Sequence, residues 1–134
     1  MSSDLDLVKS IFDAWENGDF SSVEWADPEI DFVMHGGLNS GEWKGVQGMA
    51  EGWAAMLNAW ENLRALPDGF REVDDGRILA FVRNEGTGRG SGIRIDGIST
   101  HGANVFTVSD GKVTRLELYW DRDEAIADLG LSER

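Results

Sequence analysis

The chain has two histidines, and one of them lies where an imidazole could accept a proton. His35 closes a strand-like run over residues 30–35, in which side chains alternate between faces, so Val33 and His35 share a face. The unperturbed pKa of a histidine is near ~6.5, which suits a general base at neutral pH. A hydrogen-bonded histidine at a pocket rim explains the same position. His101, in a turn-like Thr-His-Gly, is expected to be solvated.

Arg83 and Glu85 are a second pair that could take part in chemistry. They are two residues apart on a predicted strand over residues 78–85 and therefore share a face. An arginine beside a carboxylate lowers the pKa of that carboxylate and keeps it ionised. The pair could therefore act as an electrostatic partner in a reaction. A plain ion pair across strands or on the surface also accounts for both residues.

Metal and nucleotide sites have no signature in this sequence. Neither histidine belongs to an H-x-x-x-H or H-E-x-x-H motif, and the absence of cysteine excludes disulfides and thiolate ligands. The glycine-rich run over residues 86–92 does not match G-x-G-x-x-G, because position 91 is serine. Small residues there are typical of a hairpin that bends where a sheet curls. A metal site could still be assembled from carboxylates that are distant in sequence, but nothing in the sequence requires one, so we expect no metal and no cofactor.

Six tryptophans are the remaining signal. Trp15, Trp53 and Trp60 fall on the apolar faces of predicted helices, and Trp120 shares strand parity with Leu118. Bulky aromatic residues on such faces are mostly core residues. Aromatic walls also suit flat apolar ligands, so the same residues are candidates for lining a pocket.

Two kinds of periodicity define the elements that position these residues. Helical spacing of apolar residues extends over residues 5–17 and 46–62, and a short helix is predicted over 20–25. Strand-like runs extend over residues 63–73, 78–85, 93–96, 103–109 and 112–120. Helices followed by strands indicate an α+β fold with helices on one face of an antiparallel sheet. Residues 1–134 are interpreted as a single domain.

The last third of the chain carries the strongest local signals. Asp110-Gly111 joins two strand-like runs, and glycine accepts the positive φ that a tight hairpin turn needs. Asp121, with Glu124 three residues later, is the capping-box pattern of a short helix. Gly130 is placed to end that helix in a left-handed conformation.

Charge and composition restrict the partners. Asp and Glu total 25 against 12 Lys and Arg, which gives a formal net charge of −13. Such a surface repels phosphate backbones and anionic lipids, so neither nucleic acid nor a membrane is an expected partner. The acidic N-terminus lacks the pattern of a signal peptide, and no stretch is long enough to cross a bilayer. A cytoplasmic protein is therefore expected.

A family resemblance rests on the final run GANVFTVSDGKVTRLELYWDRDEAIADLGL, with SGEWKG and GTGRGSG upstream. These motifs resemble the SnoaL-like branch of the nuclear transport factor 2-like superfamily, which includes the ketosteroid isomerases. The resemblance implies a cone, in which a strongly curved antiparallel sheet wraps around the N-terminal helices and encloses a deep apolar pocket. It also implies dimers formed through the outer face of the sheet. Its motifs are specific for the fold and not for a reaction.

The resemblance assigns roles to individual positions by alignment. The general-base carboxylate of the ketosteroid isomerases falls on His35 or on Val33, depending on the alignment, and their oxyanion-stabilising acid falls on Asn104. Asparagine can donate a hydrogen bond to an oxyanion but is no acid. The isomerase tyrosine falls near Ile11, and the essential aspartate of SnoaL-like cyclases falls on Leu118. The departures at Asn104 and Ile11 argue against ketosteroid isomerisation, and Leu118 cannot do the acid chemistry of the cyclase aspartate.

The sequence therefore predicts a protein that binds a small apolar molecule and leaves open whether it is an enzyme. A polyketide-cyclase- or isomerase-like enzyme would transfer a proton on a carbonyl compound. His35 would be its base and Asn104 its oxyanion donor, with Arg83 and Glu85 as electrostatic partners. The alternative is a non-catalytic ligand-binding or dimerisation module with the same fold.

Two structural expectations follow. The four catalytic candidates should face one cavity together with the ligand-binding candidates, which are Trp15, Val33, Trp53, Trp60, Phe106, Leu118 and Trp120. Finding His35 and Asn104 on opposite faces of the sheet would exclude the enzyme hypothesis in this form. A homodimer is also expected, because Arg115, Glu117 and Tyr119 alternate with apolar residues on the last strand, and Arg and Tyr are favoured at interfaces.

Overall fold

Three helices and six strands make up the described part of the chain. The structure is a computed structural model and describes residues 3–17, 19, 24–35, 41–74, 76–88, 101–119 and 121–130. In chain order the elements are α1 (Ser3–Trp15), β1 (Ala26–His35), β2 (Gly41–Lys44), α2 (Gly45–Ala59), β3 (Trp60–Asp74), β4 (Arg77–Gly88), β5 (His101–Ser109), β6 (Lys112–Tyr119) and α3 (Arg122–Asp128). None of the helices in these ranges is long and apolar enough to cross a membrane.

The strands form one curled sheet in the order β2-β1-β6-β5-β4-β3. All neighbouring strands are antiparallel except β1 and β6, which pair in parallel from Asp31↔Arg115 to His35↔Tyr119. The predicted α+β class with a curved sheet around N-terminal helices is confirmed. The prediction of a wholly antiparallel sheet is corrected at this one pair, where the first strand lies beside the last.

Helices α1 and α2 pack on one face of the sheet, which we call the inner face. Helix α1 buries the apolar stripe predicted for it, and Val8, Ile11, Phe12 and Trp15 are at most 3% exposed. Helix α2 adds Met49 and Trp53 to the same apolar cluster. Together these side chains cover the concave side of the curled sheet and form the main core.

Helix α3 packs on the opposite, outer face. A smaller apolar cluster lies there, made by Leu79, Ala103, Val105, Tyr119 and Ala125. The outer face is therefore partly covered as well, so apolar residues of either parity on β4 and β5 can be buried.

Local signals in the last third are confirmed at residue level. Asp110 and Gly111 have φ of 53° and 76°. Positive φ at both positions is what a two-residue hairpin turn needs to match the right-handed twist of its strands. The side chain of Asp121 accepts from Asp123 N at 2.9 Å and caps α3, and Gly130 has a φ of 70°. These turns and caps depend on neighbours in sequence, which is why they could be predicted.

Other predicted elements differ from the structure or lie outside its described part. Strand β2 was not predicted, and α2 ends at Ala59, so Trp60 begins β3 instead of continuing the helix. The predicted helix over 20–25 is undescribed except at Glu24 and Trp25, which form a turn. The predicted strand over 93–96 lies outside the described residues. The glycine-rich run is described only as far as Gly88, where β4 ends.

Candidate functional site

Two rows of inner-face side chains cross the centre of the sheet. The first row runs through paired positions on β1, β6, β5 and β4 and consists of Phe32, Leu116, Phe106 and Ile78. All four residues are at most 2% exposed. Bulky apolar residues fill this row, so it is core.

The second row lies two residues away from the first on each strand, and we call it the inner row. It consists of Met34, Leu118, Asn104 and Ala80 in the same strand order. Asn104 is 7% exposed and is the one buried polar side chain among the residues described. Its neighbours in the row, Leu118 and Ala80, carry no polar side-chain atoms, so the amide is the polar feature of an otherwise apolar surface.

Aromatic side chains cover the inner face beside these rows. Trp15 and Trp53 have ring centroids 5.3 Å apart, Trp53 stacks on Phe32 at 5.4 Å, and Trp15 lies 6.0 Å from Phe106. Three ligand-binding candidates, Trp15, Trp53 and Phe106, are therefore together, and Leu118 belongs to the same apolar cluster. The side chain of Trp60, and all of Trp120, lie outside the described part of the chain.

Val33 and His35 lie on the outer face. Val33 pairs with Glu117 and His35 with Tyr119, whereas Phe32 and Met34 between them enter the inner cluster. The prediction that Val33 and His35 share a face is confirmed, but the face inferred from the family alignment is wrong. The large apolar residues at alternate positions, Ile30, Phe32 and Met34, are the sequence signal that indicates the correct side.

Arg83 and Glu85 also lie on the outer face, because Val82 between Phe81 and Arg83 belongs to the inner cluster. Arg83 Nε donates to Asp68 Oδ1 at 3.1 Å, and its Nη1 lies 3.5 Å from Glu85 Oε2. Arg122 of α3 donates to the other oxygen of Asp68, also at 3.1 Å. The surface ion-pair interpretation of Arg83 and Glu85 therefore fits the structure.

The expectation of a single cavity is consequently wrong. The sheet separates Val33, His35, Arg83 and Glu85 on its outer face from Asn104, Phe106 and Leu118 on its inner face. The predicted base and the predicted oxyanion donor therefore cannot act on one bound substrate. The enzyme hypothesis in its sequence-based form is excluded by this geometry.

His35 instead belongs to an outer-face group of polar side chains. Its ring stacks on Tyr119 with centroids 4.1 Å apart, and its Nε2 lies 3.0 Å from Glu117 Oε1. The Tyr119 hydroxyl donates to Asp128 Oδ2 of α3 at 3.2 Å. Burial, with the nearby carboxylates of Glu117, Asp128 and Glu124, raises the pKa of Tyr119 well above its ordinary value. The sequence alone did not connect any of these partners, Glu117, Tyr119, Glu124 or Asp128, to His35.

A cleft of about 320 Å³ lies elsewhere, between α1 and the β5–β6 turn. It is lined by Leu7, Ser10, Ile11, Ala14, Trp15, Glu24, Trp25, Gly111 and Lys112. Of the candidate residues it includes only Trp15, and it lies at the opposite end of β5 from Asn104. This cleft is therefore not the predicted cavity.

Solved structures with the same fold are numerous and distant in sequence. An NTF2-like protein of unknown function from Burkholderia pseudomallei K96243 is 18% identical, with a TM-score of 0.77 over 95% of this chain and 97% of its own. TerC, crystallised with polyporic acid, is 21% identical, with a TM-score of 0.75 over 96% and 98%. A candidate SnoaL-like polyketide cyclase from Jannaschia sp. CCS1 is 15% identical, with a TM-score of 0.73 over 97% and 93%. At these identities the likeness establishes the fold, that of the NTF2-like proteins.

The family itself is established by sequence. The model of the SnoaL-like domain matches residues 8–116, so the chain belongs to the SnoaL-like domain family. No curated protein matches the sequence. The resemblance inferred from the final run and its upstream motifs is confirmed.

Proposed function

We propose that this SnoaL-like protein binds a small, largely apolar molecule at the inner row, with the Asn104 amide donating a hydrogen bond to an oxygen of the ligand. The observation that carries the proposal is the burial of Asn104 within an apolar and aromatic face. The amide is not an unsatisfied buried group, because no fully buried side-chain nitrogen or oxygen among the described residues lacks a hydrogen-bond partner, but asparagine offers a ligand two donors and one acceptor. Few polar groups on an apolar surface are typical of small-molecule sites.

The ligand class follows from the residues around Asn104. Leu118 and Met34 continue the row with apolar surface, and Trp53 stacks on Phe32 in the neighbouring row. A flat molecule with a carbonyl oxygen matches one donor on an apolar and aromatic surface. Crystallisation of TerC with polyporic acid and the presence of candidate polyketide cyclases among the structural neighbours support this class.

Binding without proton transfer is the form of the function that we propose. None of the buried residues described on the inner face carries a carboxylate or an imidazole. Asn104 can polarise a carbonyl or stabilise an oxyanion, but it has no proton to exchange at neutral pH. A cyclase or isomerase would require a general base, and His35 cannot supply it from the outer face.

The test compares two ligands that differ by one carbonyl group, 9-fluorenone and fluorene. Quenching of tryptophan fluorescence reports binding, because Trp15 and Trp53 lie on the inner face. We expect fluorenone to bind about 3- to 10-fold more tightly than fluorene, as one net hydrogen bond allows. Asn104→Leu should remove that preference and retain the binding of fluorene.

The matched control is Asn17→Leu, which changes an exposed asparagine at the end of α1. It should retain the preference for fluorenone. Equal affinity of the original chain for both ligands, or an unchanged preference in Asn104→Leu, would overturn the role of Asn104. Saturable binding of neither ligand would overturn the proposed ligand class.

We further propose that the protein is a homodimer, as the SnoaL-like resemblance implies. Outward-facing residues on β6 include Arg115 and Glu117, which are partly exposed. Arginine is enriched at protein interfaces, and a sheet face offers a broad surface for a second copy. The oligomeric state does not depend on the ligand and is tested separately below.

A further inference from the structure

One imidazole and two carboxylates converge on the outer face, between the end of β1 and α3. His35, Glu124 and Asp128 each offer one ligand atom, and the three atoms lie within 4.8 Å of one another. Glu124 and Asp128 are four residues apart on α3, so the helix presents both carboxylates on one side. The group is independent of the inner row and of any ligand bound there.

The imidazole in this group is held in a fixed orientation. Stacking on Tyr119, with 8° between the ring planes, fixes the plane of the ring, and Glu117 Oε1 lies 3.0 Å from Nε2. Histidines that bind metals typically donate the other ring N–H to a carboxylate, which sets the tautomer and makes the ligating nitrogen more basic. Glu117 has this position relative to His35. The ring nitrogen left to accept a metal is Nδ1.

The charges around the group favour a cation. Both oxygens of Glu117 are engaged, since Oε2 lies 3.3 Å from Arg115 Nε. Over the described ranges, no lysine or arginine forms an ion pair with Glu124 or Asp128. Asp128 accepts from Tyr119, which is a neutral donor. Like charges four residues apart destabilise a helix, and a bound cation would remove that repulsion.

We propose that His35 Nδ1 and one oxygen each of Glu124 and Asp128 bind a divalent first-row transition-metal ion, with water completing its coordination. One imidazole and two carboxylates are a donor set of Zn²⁺ and its neighbours, whereas Mg²⁺ and Ca²⁺ prefer oxygen ligands alone. Ligand atoms about 2.1 Å from a tetrahedral ion are roughly 3.4 Å apart, so atoms that now lie within 4.8 Å of one another must approach by up to about 1.4 Å. Glu124 and Asp128 are exposed and can do so by changing rotamer.

This inference replaces the expectation, drawn from sequence, that no metal binds. That expectation relied on the absence of ligand spacing around either histidine. The fold brings the second and third ligands to His35 from the far end of the chain. A metal there would connect the end of β1 to α3, and it would stabilise the folded protein because the unfolded chain has no such site.

The experiment uses the full chain, stripped of metal with a chelator and titrated with Zn²⁺ by calorimetry. We expect one saturable equivalent and a higher Tm when it is bound. His35→Gln and Glu124→Gln should each weaken binding by at least about tenfold, and Glu117→Gln by about 10- to 100-fold through the loss of ring orientation. Co²⁺ should give a visible absorption band that is lost in His35→Gln.

Matched controls use residues of the same type elsewhere in the chain. Glu51→Gln changes an exposed carboxylate of α2, and His101→Gln changes the other histidine; both should bind Zn²⁺ as the original chain does. If circular dichroism shows that His35→Gln does not fold, the test of Zn²⁺ binding relies on Glu124→Gln and Asp128→Asn. Both of these side chains are exposed, so the substitutions should leave the fold intact. The proposal is overturned by the absence of saturable micromolar binding. It is equally overturned by an affinity that is the same in the ligand variants and the controls.

Discussion

Asp68 lies between two guanidinium groups on the outer face. Arg83 Nε, on the neighbouring strand β4, and Arg122 Nη2, on α3, each donate to it at 3.1 Å. Burial by itself would raise the pKa of Asp68, but the hydrogen bonds and charges of the two arginines outweigh it and lower the pKa below its ordinary value of 3.8. The ionised carboxylate therefore favours the folded state.

The pH dependence of this contribution has a definite sign. The contribution of Asp68 is complete above the pKa of the unfolded chain and is lost as pH falls through the lower folded pKa. Asp68→Asn should reduce the free energy of unfolding at pH 7 by up to about 1 kcal/mol, because the site is partly solvated. Urea denaturation at pH 7 and at pH 2 measures the effect, with Glu51→Gln as the control. A difference of equal size at both pH values would contradict the assigned role of the charge.

At the scale of single residues, the sequence predicted correctly which residues of a strand share a face. It predicted less well which of the two faces is turned to the helices. Val33 with His35, and Asn104 with Phe106, share faces as the alternation of strands requires. Which parity faces the helices depends on tertiary packing. On β1 the apolar alternation of Phe32 and Met34 carries that information. On β4 both parities are apolar, since α3 buries Leu79 on the outer face while Ile78 is buried on the inner face.

Helix α2 approaches the sheet closely at one glycine. A Cβ added at Gly52 would lie 2.8 Å from Phe32 Cε2 and 3.0 Å from Trp43 Cδ2. Phe32 is fully buried and stacks on Trp53, so its ring cannot move aside without disturbing the core. Gly48, one turn earlier on α2, would place its Cβ 3.4 Å from Trp43 Cβ, which is an ordinary contact.

Substitution by alanine should change the stability of the protein differently at these two glycines. Gly52→Ala should destabilise the protein by about 1–3 kcal/mol, because the added methyl group overpacks the core. Gly48→Ala should be neutral or stabilise it by up to about 1 kcal/mol, because alanine favours a helix. Thermal and urea denaturation of both variants provide the measurement. Stabilisation by Gly52→Ala would show that α2 is not fixed against Phe32 as the structure has it.

At the scale of elements, the features that depend on local backbone preferences were predicted from sequence, and those that depend on tertiary pairing were not. The Asp110-Gly111 turn, the Asp121 cap and the Gly130 terminus follow from backbone preferences of those residues and were predicted. Strand β2 spans only Gly41–Lys44 and exists because it pairs with β1. The boundary between α2 and β3 carries no glycine or proline, so nothing local marks the change at Trp60.

The whole molecule carries a strong negative charge, which opposes the proposed packing of a second copy on its outer face. At a net charge of −13, two copies repel each other, and salt screens that repulsion. We expect light scattering at micromolar concentration to give twice the mass of the chain, with the dimer fraction rising with salt. Arg115→Glu should favour the monomer, because it places a third acid beside Asp31 and Glu117.

The control for this variant is Lys9→Glu, an identical charge change on α1, which packs on the inner side of the sheet. It should leave the dimer fraction close to that of the original chain. A mass of one chain at every salt concentration would refute the dimer.

The parallel pairing of β1 with β6 determines when the chain can finish folding. In the described sheet, β2 and β1 join the remaining strands only through β6, which begins at Lys112. Contacts between such distant positions raise the contact order and slow folding, because a long loop must close before they form. During translation, the pair formed by β1 and β2 therefore cannot join the other strands until β6 has left the ribosome. Over that interval the unpaired edge of β1 is open to other nascent chains.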